Sequence, residues 1–281
     1  DHRDPQSMRA ALAGRHFDAV VDFNGYDVPD VALAFEVLQG RTGHYIFIST
    51  TVVYAKPPAR LPVTETAPLG NAFSDYGRKK LACEDYLRTC CDSKGFPVTI
   101  VRPSHTYSRR WIPNPVTSVG YTLAARLEQG RPVFIHDDGQ GLWTLTATED
   151  FAVGLAGLVG QKASIGEAYH ITSDQVLTWN EIMAETCRAL GVDHPDITHI
   201  PTDFISDIVP TMRDKLMGDK AHNAVFDCAK IKKAVPDFEC RKGFRQGIRE
   251  AIAWFRDDPS RQTINPEVDA LFDKVISAWR R

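Results

Sequence analysis

The sequence predicts an α/β chain: a parallel sheet with crossover helices, followed by a smaller, mostly helical second half. Three observations carry that reading. Short, wholly apolar runs at residues 19–23, 45–48 and 98–101 have the length and composition of strands buried on both faces. Between them lie segments with apolar residues at helical spacing, so that strand, helix and strand alternate as in βαβ units. The residues that bear chemistry gather where those runs end, which is the ligand-binding side of an open parallel sheet.

Composition sets the bounds. With 281 residues, 43% hydrophobic and 25% charged, the chain can bury a substantial core as an ordinary globular protein. A formal charge of −3 offers no electropositive footprint, so nucleic acid is not an expected partner. No apolar stretch is long enough to span a bilayer, and Asp1-His2-Arg3-Asp4-Pro5 is unlike a secretory signal; no membrane partner is expected, and a cytoplasmic location is the default. The six cysteines are scattered without C-x-x-C spacing, which points to reduced thiols. Cys83 reads as a small hydrophobe in a helix. The nine histidines fall into no metal-ligand pattern, so no metal is expected.

In order along the chain, residues 5–15 read as a helix ending at Gly14, and 19–23 as a strand closed by Asn24-Gly25. A second helix over 28–38 leads through Gly40 and Gly43 to the strand 45–48, with Ser49-Thr50-Thr51 at its carboxyl end. Residues 56–71, rich in proline and polar groups, read as a long loop before the next helix. That helix carries Leu81, Ala82, Cys83, Tyr86 and Leu87 on the face expected to be apolar, with Lys80, Glu84, Asp85 and Arg88 interleaved. Gly95-Phe96-Pro97 then leads into the strand 98–101, which ends at Arg102-Pro103. Beyond Arg109, helices over 118–130 and 179–190 alternate with strands over 132–135 and 168–171, and a closing helix from Asn265 packs back on the body.

Within the first turns of the third helix, Tyr76 and Lys80 stand four residues apart and share a helix face. A phenol with a pKa near 10 acts as a base at neutral pH only if its anion is stabilised, and an ammonium one turn away is the simplest stabiliser. By itself the pair is also what a surface phenol beside a solvated lysine looks like. Its setting changes the weighing, because a hydroxyl-rich strand end precedes it and a ligand-facing loop follows it.

Phe47-Ile48-Ser49-Thr50-Thr51-Val52-Val53-Tyr54, then Tyr76-x-x-x-Lys80, then Val101-Arg102-Pro103-Ser104-His105-Thr106-Tyr107, resembles the extended short-chain dehydrogenase/reductase superfamily, in its NAD-dependent epimerase/dehydratase branch. Asp138-Gly139-Gln140-Gly141, Glu149-Asp150-Phe151-Ala152, Gly166-Glu167-Ala168-Tyr169-His170-Ile171-Thr172 and Phe226-Asp227-Cys228-Ala229-Lys230 continue the likeness to about residue 255. The resemblance implies a Rossmann-like doubly wound sheet, NAD or NADP as cofactor, and a small-molecule substrate such as a nucleotide sugar. It implies a hydride-and-proton transfer site in which Thr50 holds the substrate oxygen, Tyr76 is the acid/base, and Lys80 lowers the phenol's pKa and holds the nicotinamide ribose. Ser49 or Thr51 stands as the alternative to Thr50, since strand neighbours face opposite ways. The resemblance also assigns Asn24, Gly25, Pro103 and Ser104 to the cofactor and Asp1 to the adenine end. For His105 three readings stand: cofactor loop, substrate ligand, or surface residue. Residues 1–108, with returning segments near 142–173, would be the remainder of the dinucleotide domain, and 109–281 mainly the substrate domain. A homodimer packed through Val31, Ala34, Phe35, Leu38, Leu81, Tyr86 and Leu87 is expected by the same likeness.

Two departures stand out. The family opens with a Gly-x-x-Gly-x-x-Gly turn that cradles the pyrophosphate, and no such cluster occurs in this sequence. The expectation is a longer protein whose preceding segment carries it; the other reading is a member without dinucleotide affinity. The arginine that usually clamps a sugar-nucleotide diphosphate is replaced by Trp143 within Leu142-Trp143-Thr144-Leu145-Thr146, as in an atypical subgroup. Arg109, Arg110 and Arg213 are the candidates for supplying that charge, and Trp143 for stacking on a planar ligand or simply packing. The leading function is therefore an NAD(P)-dependent epimerase, dehydratase or reductase. The alternative is a non-catalytic binding or RNA-associated scaffold, against which the Thr50/Tyr76/Lys80 set and the negative charge both argue.

Overall fold

A computed structural model describes residues 3–281. The first half contains α1 (Pro5–Leu12), β1 (Val20–Asp22), α2 (Val28–Leu38), β2 (Tyr45–Ile48), α3 (Asp75–Lys94) and β3 (Val98–Pro103). The second contains β4 (His105–Tyr107), α4 (Thr122–Glu128), β5 (Val133–His136), β6 (Leu142–Ala147), α5 (Thr148–Leu158), β7 (Ala168–Ile171), β8 (Val176–Thr178) and α6 (Trp179–Leu190). It continues through β9 (Ile197–Ile200), α7 (Thr202–Ile208), α8 (Met212–Lys215), α9 (Ala229–Ala234), α10 (Phe244–Asp257) and α11 (Pro266–Trp279).

The main sheet is parallel throughout, in the order β1-β2-β3-β7. It is covered on both faces, which is why its strands read as continuous apolar runs. Along β2 the pleat sends Tyr45 and Phe47 toward Val31, Leu38, Cys83, Leu87 and Phe96, whereas Ile46 and Ile48 meet Phe151, Leu158, Ile231 and Phe238 on the other side. The second half holds more strand than expected. It forms a three-stranded sheet β4-β6-β8 and a two-stranded sheet β5-β9 around a core that includes Trp143, Trp179, Phe134, Phe244 and Phe272. Strands of three or four residues whose partners lie 40 or more positions away leave little periodic signal, so this half read as mostly helical.

Helix ends follow the local chemistry. Ser74 caps α3 by accepting from the Gly77 N–H, and Gly95, with φ of 64°, closes it by donating to the carbonyls of Cys90 and Cys91. Thr178 and Glu181 form a reciprocal cap on α6. The face of α3 differs from the sequence reading: Lys80 and Glu84 are buried together with Cys83 and Leu87. The expected dimer face is likewise altered, because Val31, Ala34, Leu38 and Leu87 are spent inside the chain's own core, leaving Phe35, Leu81 and Tyr86 only partly covered. Among the described residues, no helix is long and apolar enough to cross a membrane, and no cluster of side chains could hold a metal ion.

Candidate active site

Three strand ends and the first turns of α3 build one wall of a cleft of about 520 Å³. After β1, the Asp22 carboxylate accepts from the Asn24 and Gly25 N–H groups at 2.8 and 2.9 Å, folding that loop tightly back. A Cβ on Gly25 would lie 2.8 Å from Val31 Cγ1 and 2.9 Å from Phe47 Cε2, so only glycine fits there. Lys80, 4% exposed, donates from Nζ to the carbonyls of Gly25 and Ile48 at 2.6 and 2.7 Å and lies 4.1 Å from the centre of the Phe47 ring. Its ammonium thus ties the ends of β1 and β2 to α3 and keeps one N–H in hand.

Thr50 caps a short 3₁₀ turn over Thr51–Val53, its hydroxyl oxygen accepting from the Val52 N–H at 3.2 Å. That oxygen's own proton is free to point elsewhere, and the Thr50 and Tyr76 hydroxyls are hydrogen-bonded. Ser49 is different: it donates to Glu84 Oε1 at 2.6 Å, so it offers the cleft only backbone. Glu84 in turn receives Arg102 Nη2 at 2.6 Å and Nε at 3.0 Å, a buried two-point ion pair behind the strand ends.

The opposite wall comes from the second half, through Trp111, Ser118, Trp143, Lys215, Asp219 and Lys220. Residues Leu216–Lys220 form a single π-helical turn. Asn71 fastens the two walls at one end: its side-chain amide donates to the carbonyls of Val52 at 2.8 Å and Gly218 at 2.7 Å. Asp214 adds a second tie by accepting from Ser74 Oγ and from the Asp75 N–H.

Of the residues singled out in the sequence, Asn24, Gly25, Ser49, Thr50, Thr51, Tyr76, Lys80, Pro103, Ser104, His105 and Trp143 all line this cleft. Arg109, Arg110 and Arg213 do not; all three are exposed, and the Arg110 guanidinium lies over the Trp254 ring at 5.6 Å instead. Asp1 lies outside the described residues. Sequence reasoning missed Tyr26, Ser118, Asp219 and Lys220. Tyr26 could have been found from its place just beyond Asn24-Gly25. The other three carry no local signal, since their approach to the strand ends depends on contacts more than a hundred residues distant in the chain for Asp219 and Lys220.

The electrostatics depart from expectation at one point. Tyr76 is raised above the ordinary phenol value, foremost by burial, with the Thr50 hydrogen bond opposing and Tyr26 and Asp219 adding to the rise. Lys80 is engaged with the two carbonyls, and the lowering expected from it is not what dominates. Tyr76 is accordingly a protonated phenol at neutral pH, poised to give a proton. The Tyr26 ring packs against it with centroids 5.6 Å apart. His105 bonds through Nε2 to Ser118 Oγ at 2.9 Å, and burial pushes its imidazole down to about 3, with Lys220 reinforcing the effect. Burial likewise brings Lys220 down to about 8 and raises Asp219.

Comparison with known proteins agrees with this arrangement. The sequence profile of the NAD dependent epimerase/dehydratase family matches residues 31–172, half of the chain. A 2'-dehydrokanamycin reductase from Streptomyces kanamyceticus is 24% identical over 90% of this chain and 70% of its own length. The chloroplast stem-loop binding protein of 41 kDa b from Arabidopsis thaliana is 27% identical over 73% of this chain, which spans about half of that protein (51%). In fold, the chain resembles an epimerase from Methanothermobacter thermautotrophicus, with a TM-score of 0.76 and 16% identity over 92% of this chain and 78% of the other. It also resembles the dTDP-glucose 4,6-dehydratase of Bacillus anthracis solved with NAD, with a TM-score of 0.73 and 18% identity over 92% and 79% of the two chains. Parallel sheet, Tyr/Lys helix, strand-end hydroxyl and profile match together mean that the chain belongs to the NAD dependent epimerase/dehydratase family.

Proposed function

We propose that the chain is the catalytic part of an NAD(P)-dependent oxidoreductase that reduces a carbonyl, or interconverts alcohol and carbonyl, on a sugar nucleotide or related hydroxylated small molecule. The observation that carries this reading is the convergence of Thr50, Tyr76 and Lys80 on one cleft, with Tyr76 protonated and bonded to Thr50. A nicotinamide, when bound, supplies or accepts the hydride. The residues present fit such a group: Lys80 retains one N–H beyond its two carbonyl bonds for a ribose hydroxyl, and the close-packed Gly25 leaves backbone facing the cleft.

The remaining steps belong to the protein. Thr50 holds the substrate oxygen, its position fixed by the Val52 N–H. Tyr76 gives its phenolic proton to that oxygen as the carbonyl becomes a carbinol, and takes it back in the reverse direction. Lys80 is well placed to steady the resulting phenolate once a ligand competes for its carbonyl partners. The division of labour follows the cleft, with the cofactor against the ends of β1, β2 and β3, and the substrate toward the wall formed by residues 111–119, 143–144 and 215–226. Several relatives are named as reductases, among them a dTDP-4-keto-6-deoxy-D-glucose reductase from Streptomyces niveus that is 31% identical over 60% of this chain. These names support the carbonyl-reducing direction.

The test uses the full-length protein in a nicotinamide-linked assay together with cofactor titration. Tyr76→Phe should leave cofactor binding nearly intact while cutting turnover by about 10² or more. Lys80→Met should damage both, and Thr50→Ala should be milder than Tyr76→Phe. Full turnover by Tyr76→Phe would overturn the mechanism and turn attention to a binding or scaffold role.

A further inference from the structure

The end of the cleft away from Lys80 is rich in donors and poor in acceptors. Lys220, 9% exposed, donates from Nζ to the carbonyls of Asn114 at 2.9 Å and Pro115 at 3.0 Å, which leaves its third N–H uncommitted. No carboxylate lies within ion-pair distance of it among the described residues. The ammonium is presented from a fixed backbone, because the Lys220 carbonyl accepts from Trp179 Nε1 at 3.2 Å and from the His136 ring at 2.8 Å. Trp143, 2% exposed, lines the same cleft, and its indole N–H has no acceptor at all. The two donors belong to one cluster. The Trp143 and Trp179 ring centres are 5.1 Å apart, Lys220 Nζ lies 5.9 Å from the Trp179 ring, and His105 lies 6.2 Å from Trp143.

A buried cation and an orphaned buried N–H each cost free energy unless a ligand answers them. A neutral acceptor would answer the indole and leave the cation uncompensated. A diphosphate would bring more charge and more acceptors than one buried lysine and one indole satisfy. The match is a planar monoanion with two acceptor oxygens. Asp219, although adjacent in sequence, has Lys56 and Tyr76 as its electrostatic neighbours, whereas those of Lys220 include His105 and His136. It therefore belongs to the Tyr76 side of the cleft.

We propose that Lys220 Nζ and the Trp143 indole N–H form a carboxylate-binding subsite, and that the substrate carries a carboxylate on its sugar-like portion, as a uronate does. The inference rests on the sugar-nucleotide reading above and narrows it.

Calorimetric titration of the full-length protein decides the matter. The probes are UDP- and dTDP-linked glucuronate, the corresponding glucose compounds, and the free nucleoside diphosphates. The wild type should bind a glucuronate compound at least tenfold more tightly than its glucose counterpart. Lys220→Met should abolish that preference and leave glucose-compound affinity within about twofold. Trp143→Phe, which keeps the ring stack and removes only the N–H, should reduce the preference severalfold, and thermal melts of both variants verify folding. Equal wild-type affinity for the two sugars, or a preference that survives Lys220→Met, overturns the subsite while leaving the oxidoreductase reading in place. Loss of free-diphosphate affinity in Lys220→Met would identify a phosphate as the ligand and overturn the carboxylate assignment. Binding of none of the probes overturns both readings.

Discussion

At the level of single residues, the proton behaviour of Tyr76 depends on one hydroxyl. Burial raises the phenol, and the Thr50 hydrogen bond is the first of the influences that oppose it. Thr50→Val keeps the shape of the side chain and deletes that bond, so the Tyr76 pKa should rise further. Carbon-13 labelling of tyrosine Cζ, with Tyr76→Phe to assign the resonance, reads the shift directly; an unchanged or lower value in Thr50→Val would contradict the coupling. Much of this residue chemistry was legible in the sequence. Thr50, Tyr76 and Lys80 announce themselves by spacing and by position at strand and helix ends, and all three line the cleft. Lys220 and the unpartnered Trp143 N–H were not legible, because what makes them unusual is burial against segments remote in the chain. Arg109, Arg110 and Arg213 misled for the converse reason. An arginine's charge is plain in a sequence, but its direction is not.

At the level of the element, α3 is more than a carrier of the Tyr/Lys pair. Gly77 brings its first turn so close to the 3₁₀ turn after β2 that a Cβ there would sit 2.6 Å from the Val52 carbonyl oxygen and 3.3 Å from Asn71 Cβ. Replacing glycine by alanine ordinarily stabilises a helix interior by up to about 1 kcal/mol. Here the overpacking, typically about 1–3 kcal/mol, outweighs that gain, because the clash is with backbone that already accepts a hydrogen bond from Asn71. Gly77→Ala should therefore lower stability in urea titration. By shifting Tyr76 relative to Thr50, it should also cut turnover by about tenfold or more. A variant as stable and active as the wild type would show that the approach is not constrained. The helix was readable as amphipathic, but the burial of Lys80 and Glu84 was not. A lysine answered by two carbonyls and a glutamate answered by Arg102 are tertiary solutions, invisible in a pattern of apolar and polar letters.

For the molecule as a whole, burial depresses several histidines, among them His44, His105, His136, His170 and His222, with His136 brought down to about 4. The unfolded chain takes up protons near pH 6.5 that the folded chain refuses. This contribution to stability is therefore complete above pH 6.5 and is lost as the pH falls toward 4. His136 alone should account for a loss on the order of 1–2 kcal/mol between pH 7 and pH 5. Urea unfolding at the two pH values measures it, and His136→Gln should flatten the difference; equal stability of the wild type at both would refute the account. Carboxylates lowered by their partners, such as Asp269 beside Arg126 and Arg131, act in the same sense but at lower pH.

The Asn71 clip between the Val52 and Gly218 carbonyls, with Asp214 holding the Ser74 hydroxyl and the Asp75 N–H, gives the cleft a hinge line. Motion of the Lys220 wall cannot be independent of the first turn of α3, since both hang from the same side-chain amide. Any widening must either carry Tyr76 along or unfasten the helix cap. Substrate entry and the alignment of the proton donor are thus one mechanical event, and the amides of Asp75 and Gly77 would open to solvent exchange in step with the mouth of the cleft.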